Sequence, residues 1–413
     1  MSPETLALPR KRKSVKEGRS AVWSRASAAE VATIHAMSRV TVVDVGDGAC
    51  TVLRCWCMGM PCSCTTAVID CGNYRAATLE ATNRLEAVLE RDDLARLQTI
   101  IVTHFDEDHW GGLRMLAERL KPEEGPRRVQ IVYPRMPDIQ LDTAALELAM
   151  RATVAGTGVR ALDLTTAWDR IASVDRLPVS RGARFHAAGR VWTVLWPPRH
   201  LSNELRARLR KTVMEADQLA DKLAERGNVA LKENLAIARR IGFSAGMPEP
   251  DMLSNDEELF HDDDALLAQN DEHSESDRGN PPEGYVNVHG ESQDLGAIPQ
   301  DCHTEYREIM KRVAAANNDL SLVFHDEDGS LIVFGDVQGR ALQSAVRRTR
   351  TCYRVIIAPH HGTVNVPAGF PRGLACVAQA GSGHFSRWNK HLSTHRQQRL
   401  CITTATMGTI SFW

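Results

Sequence analysis

The chain has 413 residues, 43% of them hydrophobic and 25% charged, with a formal net charge of −2. That is enough to bury a sizeable core, as one large domain with an insertion or as two domains. No stretch approaches the roughly 20 apolar residues of a membrane span, and the charged N-terminus lacks the apolar segment of a secretory signal, so neither a spanning nor an exported protein is expected.

Ten cysteines without an export signal point to a reducing compartment with thiols free or metal-bound, and a cytoplasmic location is the expectation. The charge is uneven. Residues 251–283 carry twelve Asp/Glu and one Arg, or −11, so the rest of the chain is about +9. Residues 1–25, with seven Lys/Arg against two Glu, supply +5 of that. A mildly basic body permits a polyanionic partner without demanding one.

In chain order, residues 1–36 lack sustained periodicity and read as a flexible basic arm whose PRKRK run suits phosphate contacts. The first half of the fold is expected over 37–202. RVTVVDVGDGACTVLRC, from Arg39, reads as two apolar runs about a turn, and TTAVIDCGN as a third run. Asp70 ends that strand beside a Cys-Gly pair, a place from which a carboxylate can orient metal ligands. Between the second and third runs lie Cys55, Cys57, Cys62 and Cys64. A hairpin with residues 58–61 at its tip pairs 57 with 62 and 55 with 64, which sets four sulfurs on one face. Such a set suits a structural Zn²⁺, and four reduced thiols or redox-labile pairs are the alternative.

Residues 78–89 read as a helix. LQTIIVT (97–103) reads as a buried strand, and LRMLAERL, after Gly111-Gly112, as a helix with Leu113, Leu116 and Leu120 on one face. Between them stand His104, Asp106, Asp108 and His109. Carboxylates crowded on so short a turn are costly unless a cation holds them, so this stretch reads as a metal site. Residues 129–134 and 190–198 read as strands and 143–155 as a helix. Residues 203–305 are expected to be an insertion, helical to about 241 and then acidic. The acidic part cannot bury enough apolar surface to order itself, and it is the surface expected to meet a protein partner.

The second half of the fold is expected over 306–413. NNDLSLV reads as a strand, DEDG (326–329) as a hairpin turn, and Asp336 as the end of the next strand. VIIAPHHGT (355–363) repeats the order of strand, ligands, glycine, with His360 and His361. Arg347, Arg348, Arg350 and Arg354 precede that strand and could track a phosphate backbone. The closing CITTATMGTISFW reads as a hairpin.

His104 to His109 resembles the HxHxDH signature of the metallo-β-lactamase fold. The form here is HxDxDH, typical of the hydrolase domain of ComEC-type DNA-uptake proteins and their stand-alone relatives. Other blocks resemble that family in order. Asp44 to Gly48 resembles its DVGQGD, with the usual glutamine and last aspartate missing. Ile69 to Gly72 is similar to its IDTG, Asn317 to Val323 to its NNxSLV, Phe334 to Asp336 to its TGD, and Pro359 to Gly362 to its PHHG. The stretch around Asn389 and His391 stands where NxYGHP falls, without the tyrosine, glycine and proline. The likeness covers about 40–200 and 305–413. The membrane-spanning part of the DNA-uptake proteins has no counterpart in this sequence, so transport is not implied.

The resemblance implies an α/β protein, an αββα sandwich with metal ligands on loops at one edge of two sheets, in keeping with the alternation of strands and helices. It implies His104 and Asp106 on one ion, Asp108 and His109 on a second, Asp336 bridging, and His360 completing the second ion. His361 is then a support behind the ligands or the proton donor, Asp108 and His361 the catalytic pair, and Asp70, Asn318 and His391 supports for the ligands. No block supplies a third ligand for the first ion; His186 and His200 lie in the right region but match none. An aspartate at 106 hardens that site, so Mn²⁺ competes with Zn²⁺. Two such ions lower the pKa of a water between them. The leading expectation is a phosphodiesterase acting on nucleic acid, a nuclease. A small-molecule esterase of the lactone or phosphocholine type is the alternative, and a non-catalytic interaction module a third.

Overall fold

The computed structural model describes residues 37–56, 65–74, 77–135, 143–241, 295, 298–395 and 398–412. The basic arm, Cys57, Cys62 and Cys64, and the acidic stretch lie outside the described residues.

Two seven-stranded sheets form the body. The first is built from β1 (Met37–Val42), β2 (Cys50–Trp56), β3 (Thr66–Cys71), β4 (Leu97–Ile101), β5 (Arg128–Pro134) and β6 (Ser173–Val179) in sequence order, with β14 (Ile410–Phe412) added beside β1. The second runs β13 (Cys401–Thr403), β12 (Arg372–Ala378), β11 (Cys352–Ile357), β10 (Leu331–Val333), β9 (Val323–Asp326), β8 (Arg190–Trp196) and β7 (Arg184–Ala187).

Strand alternation decides how the sheets stack. From β3, Ala67 and Ile69 enter the core between the sheets, while Val68 and Cys71 enter the core under the first helical layer. From β10, Leu331 and Val333 face the first sheet and Ile332 faces the second helical layer. Both faces of the central strands are therefore covered, which gives four layers and the expected αββα sandwich. No helix among the described residues is long and apolar enough to cross a membrane.

Several local expectations are corrected. The helix after β4 is Glu107–Arg119, so it begins before Asp108 and His109 and contains Gly111 and Gly112. Those glycines are packing positions: a Cβ on Gly112 would stand 2.9 Å from both the Cys71 carbonyl oxygen and its Sγ. Asn317 and Asn318 are no strand; they close the His303–Asp319 helix, because Leu320 and Leu322 are drawn into different cores and the extended chain starts only at Val323. The closing segment is no hairpin either. β13 lies parallel to β12, the Thr404–Met407 helix turns the chain, and β14 joins β1 in the other sheet.

The cysteine register is also shifted. Arg54 stands opposite Thr66, and the Cys55 N–H donates to the Thr65 carbonyl at 3.2 Å. Of the four cysteines expected on one face, only Cys55 lies among the described residues, and this end of the pairing sets it against Thr65.

The helices Asn203–Ala224 and Ala230–Ile241 carry one apolar face each. Leu209, Val213, Leu219 and Leu235 join the core that also holds Leu146 and Ile309 from the Thr143–Val154 and His303–Asp319 helices.

Candidate metal centre

The strands of both sheets end near one another at a single edge, and their last residues carry the polar groups. β3 ends near Asp70, which has φ +51 and is 3% exposed. Aspartate tolerates this left-handed conformation better than most residues. Its Oδ1 accepts the Thr103 N–H at 2.7 Å, and its Oδ2 accepts the Thr103 hydroxyl at 2.7 Å and His109 Nδ1–H at 2.9 Å. Asp70 thus ties the loop after β4 to β3 and holds His109 through its Nδ1–H.

His104, wholly buried, sits with Nε2 3.7 Å from Asp106 Oδ2 and 4.0 Å from Asp336 Oδ2. Asp106 caps the Glu107–Arg119 helix without a side-chain bond to it. Asp108 and His109 occupy the first turn, 2% and 1% exposed. From the second sheet, Asp336 follows β10 with its N–H held by Ser321 Oγ at 2.9 Å. Its carboxylate reaches His109 Nε2 at 3.4 Å, His361 Nε2 at 3.3 Å and His360 Nδ1 at 3.1 Å.

The two histidines after β11 divide differently from the expected order. His361 is buried; its Nδ1–H donates to the Gln379 carbonyl at 3.0 Å, and Nε2 lies 3.3 Å from Asp108 Oδ2. His360 lies nearer the surface and touches the cluster through Asp336 alone. The ligand atoms of His104, His109 and Asp336 lie within 4.8 Å of one another, and so do those of Asp108, His109 and His361.

The residues present fit a cation. His109 and His361 both donate through Nδ1, so their Nε2 atoms face each other at 3.3 Å, a pairing that needs a shared proton or a cation between them. His104 Nε2 and Asp106 Oδ1 are buried without a hydrogen-bond partner, and such groups are costly unless something binds them. The electrostatics agree. Burial alone would raise the carboxyl groups of Asp108 and Asp336, yet the neighbouring imidazoles, His109 foremost for Asp108 and His361 for Asp336, hold both below the usual range. Burial works against a charged His361, but Asp336 and Asp108 outweigh it and push its pKa up to about 10. A bound cation would displace those protons.

Some expected residues stand elsewhere. His391 bonds Asn365 at 2.8 Å on a partly exposed helix face, and Asn389 is exposed. His186 and His200 are both exposed. Asn318 is buried, but it is the neighbouring Asn317 amide that donates to Glu147. Arg347 and Arg348 follow the Gly339–Val346 helix, Arg350 precedes β11 and Arg354 lies within it, whereas the histidines follow its end.

Other residues sequence reasoning missed. Glu147, 1% exposed, is held by Arg151, which also reaches Glu107 at 2.9 Å. Burial pushes the Glu147 carboxyl up to about 8, Arg151 opposing and the nearby charge of Asp106 adding to the rise. His384 stacks on His361 with ring centroids 5.1 Å apart. Its sequence signal was present: a histidine a few residues beyond the end of β12, as His104 follows β4 and His361 follows β11.

A family model described as the metallo-beta-lactamase superfamily matches residues 65–202. No curated protein matches. Among solved structures the chain is similar to the metallo-beta-lactamase fold protein YhfI from Bacillus subtilis, at 12% identity and a TM-score of 0.23, covering 38% of this chain and 52% of that one. It is similar to a metallo-beta-lactamase family protein from Thermus thermophilus, at 16% identity and a TM-score of 0.23, covering 38% and 51%. A metallo-beta-lactamase with a HARLDQ motif from Cronobacter sakazakii also matches, at 18% identity and a TM-score of 0.19, covering 35% and 45%. The chain thus spans about half the length of these proteins. β3, β4 and the loop bearing His104 to His109 lie inside the residues that match the metallo-beta-lactamase superfamily model, so the first half of the candidate centre falls within the region of likeness.

Proposed function

We propose that this protein is a metal-dependent phosphodiesterase acting on nucleic acid. One observation supports the reading: buried histidines and aspartates from both sheets, in two overlapping groups, converge on the Asp336 carboxylate, which reaches His109 and His361. A paired arrangement of this kind suits in-line displacement at phosphorus, where the attacking and leaving oxygens both need stabilising. Bound divalent cations, Zn²⁺ or Mn²⁺, would supply Lewis acidity and lower the pKa of an attacking water.

The chain's own residues do the rest. His104 and Asp106 would face one cation and Asp108 and His361 the other, with Asp336 reaching both; His109, whose Nδ1 is committed to Asp70, has a single Nε2 lone pair and would serve one of them, and His360 flanks Asp336. Asp70 and Gln379 fix the two imidazoles so that their Nε2 atoms point inward, and no rearrangement is needed to receive a cation. Buried walls keep bulk water out and strengthen each of these contacts. The ComEC-type blocks support nucleic acid over other esters, and the positive balance outside residues 251–283 lets a polyanion approach.

The test is hydrolysis of bis-p-nitrophenyl phosphate and of single- and double-stranded DNA and RNA with Mn²⁺ or Zn²⁺, with Asp108→Ala as the blank. Metal-dependent cleavage that Asp108→Ala lowers by at least about 100-fold is expected. Cleavage of lactone, thioester or phosphocholine substrates with none of these phosphodiesters would replace this reading with that of a small-molecule esterase. Bound metal with no hydrolysis of any of them would leave a non-catalytic module.

A further inference from the structure

His384 has no place among the ligands, yet it is built into the same edge. It lies in the first turn of the Ser382–His395 helix, 4% exposed, with its ring nearly parallel to that of His361 at an interplanar angle of 23°. Tyr74 meets it edge-on with centroids 6.3 Å apart. Asp47 anchors the turn: its carboxylate accepts the His384 N–H at 2.8 Å and the Gly383 N–H at 3.0 Å. A Cβ on Gly383 would stand 2.6 Å from that carboxylate, so the contact depends on the glycine.

The side chain has a fixed proton arrangement. Arg387 approaches His384 Nδ1 at 2.8 Å, and a guanidinium can only donate. Nδ1 is therefore the acceptor, and the ring proton sits on Nε2. That Nε2 is buried and has no hydrogen-bond partner. A buried N–H left unmade is unfavourable, and an N–H cannot ligate a cation. What it can bind is an oxygen carrying negative charge, through a charge-assisted hydrogen bond.

We propose that the Nε2–H of His384 donates a hydrogen bond to an anionic non-bridging oxygen of the phosphodiester bound at the metal centre. The assignment rests on the phosphodiesterase reading above. Asp47 sets the turn, Arg387 sets the tautomer, and the stack on His361 holds the ring beside a residue that faces Asp108 and Asp336. A donor placed in advance in this way stabilises the charge on phosphorus oxygens without reorganising during the reaction.

The experiment compares wild type with His384→Phe, which keeps a stacking ring without the donor, and with His384→Gln, whose amide can still donate. Each is loaded with Mn²⁺, its metal content is measured, and inorganic phosphate binding is titrated by calorimetry beside KM and kcat for bis-p-nitrophenyl phosphate. His384→Phe should keep its metal and bind phosphate on the order of tenfold more weakly, and His384→Gln should stay within about threefold of wild type. Should His384→Phe fail to fold, Arg387→Met frees Nδ1 to take the proton and is expected to weaken phosphate binding several-fold.

Phosphate binding unchanged in His384→Phe, or in Arg387→Met where that variant replaces it, overturns the proposal. So does loss of metal from His384→Phe, or loaded wild type that binds no phosphate. His384-dependent phosphate binding in a protein that cleaves no phosphodiester would leave this contact standing and sink the proposed function. Phosphodiester cleavage indifferent to His384→Phe would do the reverse.

Discussion

Two neighbouring histidines with the same chemistry receive different surroundings because the backbone turns sharply under both. His360 and His361 take φ values of +47 and +56, a conformation that costs a residue other than glycine on the order of 1–3 kcal/mol and persists where the surroundings enforce it. Here they do: the His360 N–H donates to the Gly335 carbonyl at 2.9 Å, and the Thr363 hydroxyl donates to the His360 carbonyl at 2.7 Å. Gly362 follows because a Cβ there would stand 2.4 Å from the Trp388 ring. The turn aims His361 into the cluster and leaves His360 against Asp336 only. The sequence could place a ligand in this pair but not choose between its members, since the choice lies in two backbone angles. His361→Ala is expected to lower bound metal by about one ion per chain, and His360→Ala to leave the content near that of wild type. Inductively coupled plasma mass spectrometry of the two variants decides it. The opposite pattern would restore His360 as the ligand.

At the scale of elements, periodicity revealed the strands and most helices, while their boundaries at the metal edge stayed hidden. The Glu107–Arg119 helix shows why. Its first turn is spent on Asp108 and His109, and the apolar repeat of Trp110, Leu113 and Leu116 is interrupted by Gly111 and Gly112, so the start of the helix is masked. The two glycines at 111 and 112 then look like a loop, although they exist to let the helix press on β3. Gly112→Ala tests this reading. Alanine has the higher helix propensity by about 1 kcal/mol, so a glycine serving only as a loop or a neutral helix position would gain stability. A close-packing glycine should instead lose about 1–3 kcal/mol, because the new methyl would meet the Cys71 backbone and Sγ at 2.9 Å. Urea unfolding of the variant, read as a change in midpoint at constant slope, separates the two. A higher midpoint would refute the packing role. The Cys55 register and the separation of β13 from β14 were hidden for a related reason, since strand pairing is settled by partners distant in sequence.

At the scale of the molecule, the candidate centre joins the two sheets. Asp70 and His104 to His109 come from the ends of β3 and β4, and Asp336 and His361 from the ends of β10 and β11. The four-layer sandwich was legible because apolar runs and helices alternate along the chain. The meeting of the two halves was legible only through motifs that share one grammar, a strand ending in ligands. Between the sheets, Ile69, Ile101, Val333 and Ile357 pack in one core; at the edge, carboxylates and imidazoles meet with no apolar filling. A cation there would act as a cross-sheet clamp that binds the folded chain and not the unfolded one. Such binding stabilises by about 2.7 kcal/mol when free metal is at ~100 times its Kd, and a shift of that size moves Tm by several degrees. Adding chelator to metal-loaded wild type should therefore lower Tm, and restoring Mn²⁺ or Zn²⁺ should recover it. Asp336→Ala, which removes the carboxylate facing both ligand groups, should show a Tm nearly indifferent to chelator. An unchanged Tm in wild type after verified metal removal, or an equal drop in Asp336→Ala, would show that the stabilising ion is held elsewhere.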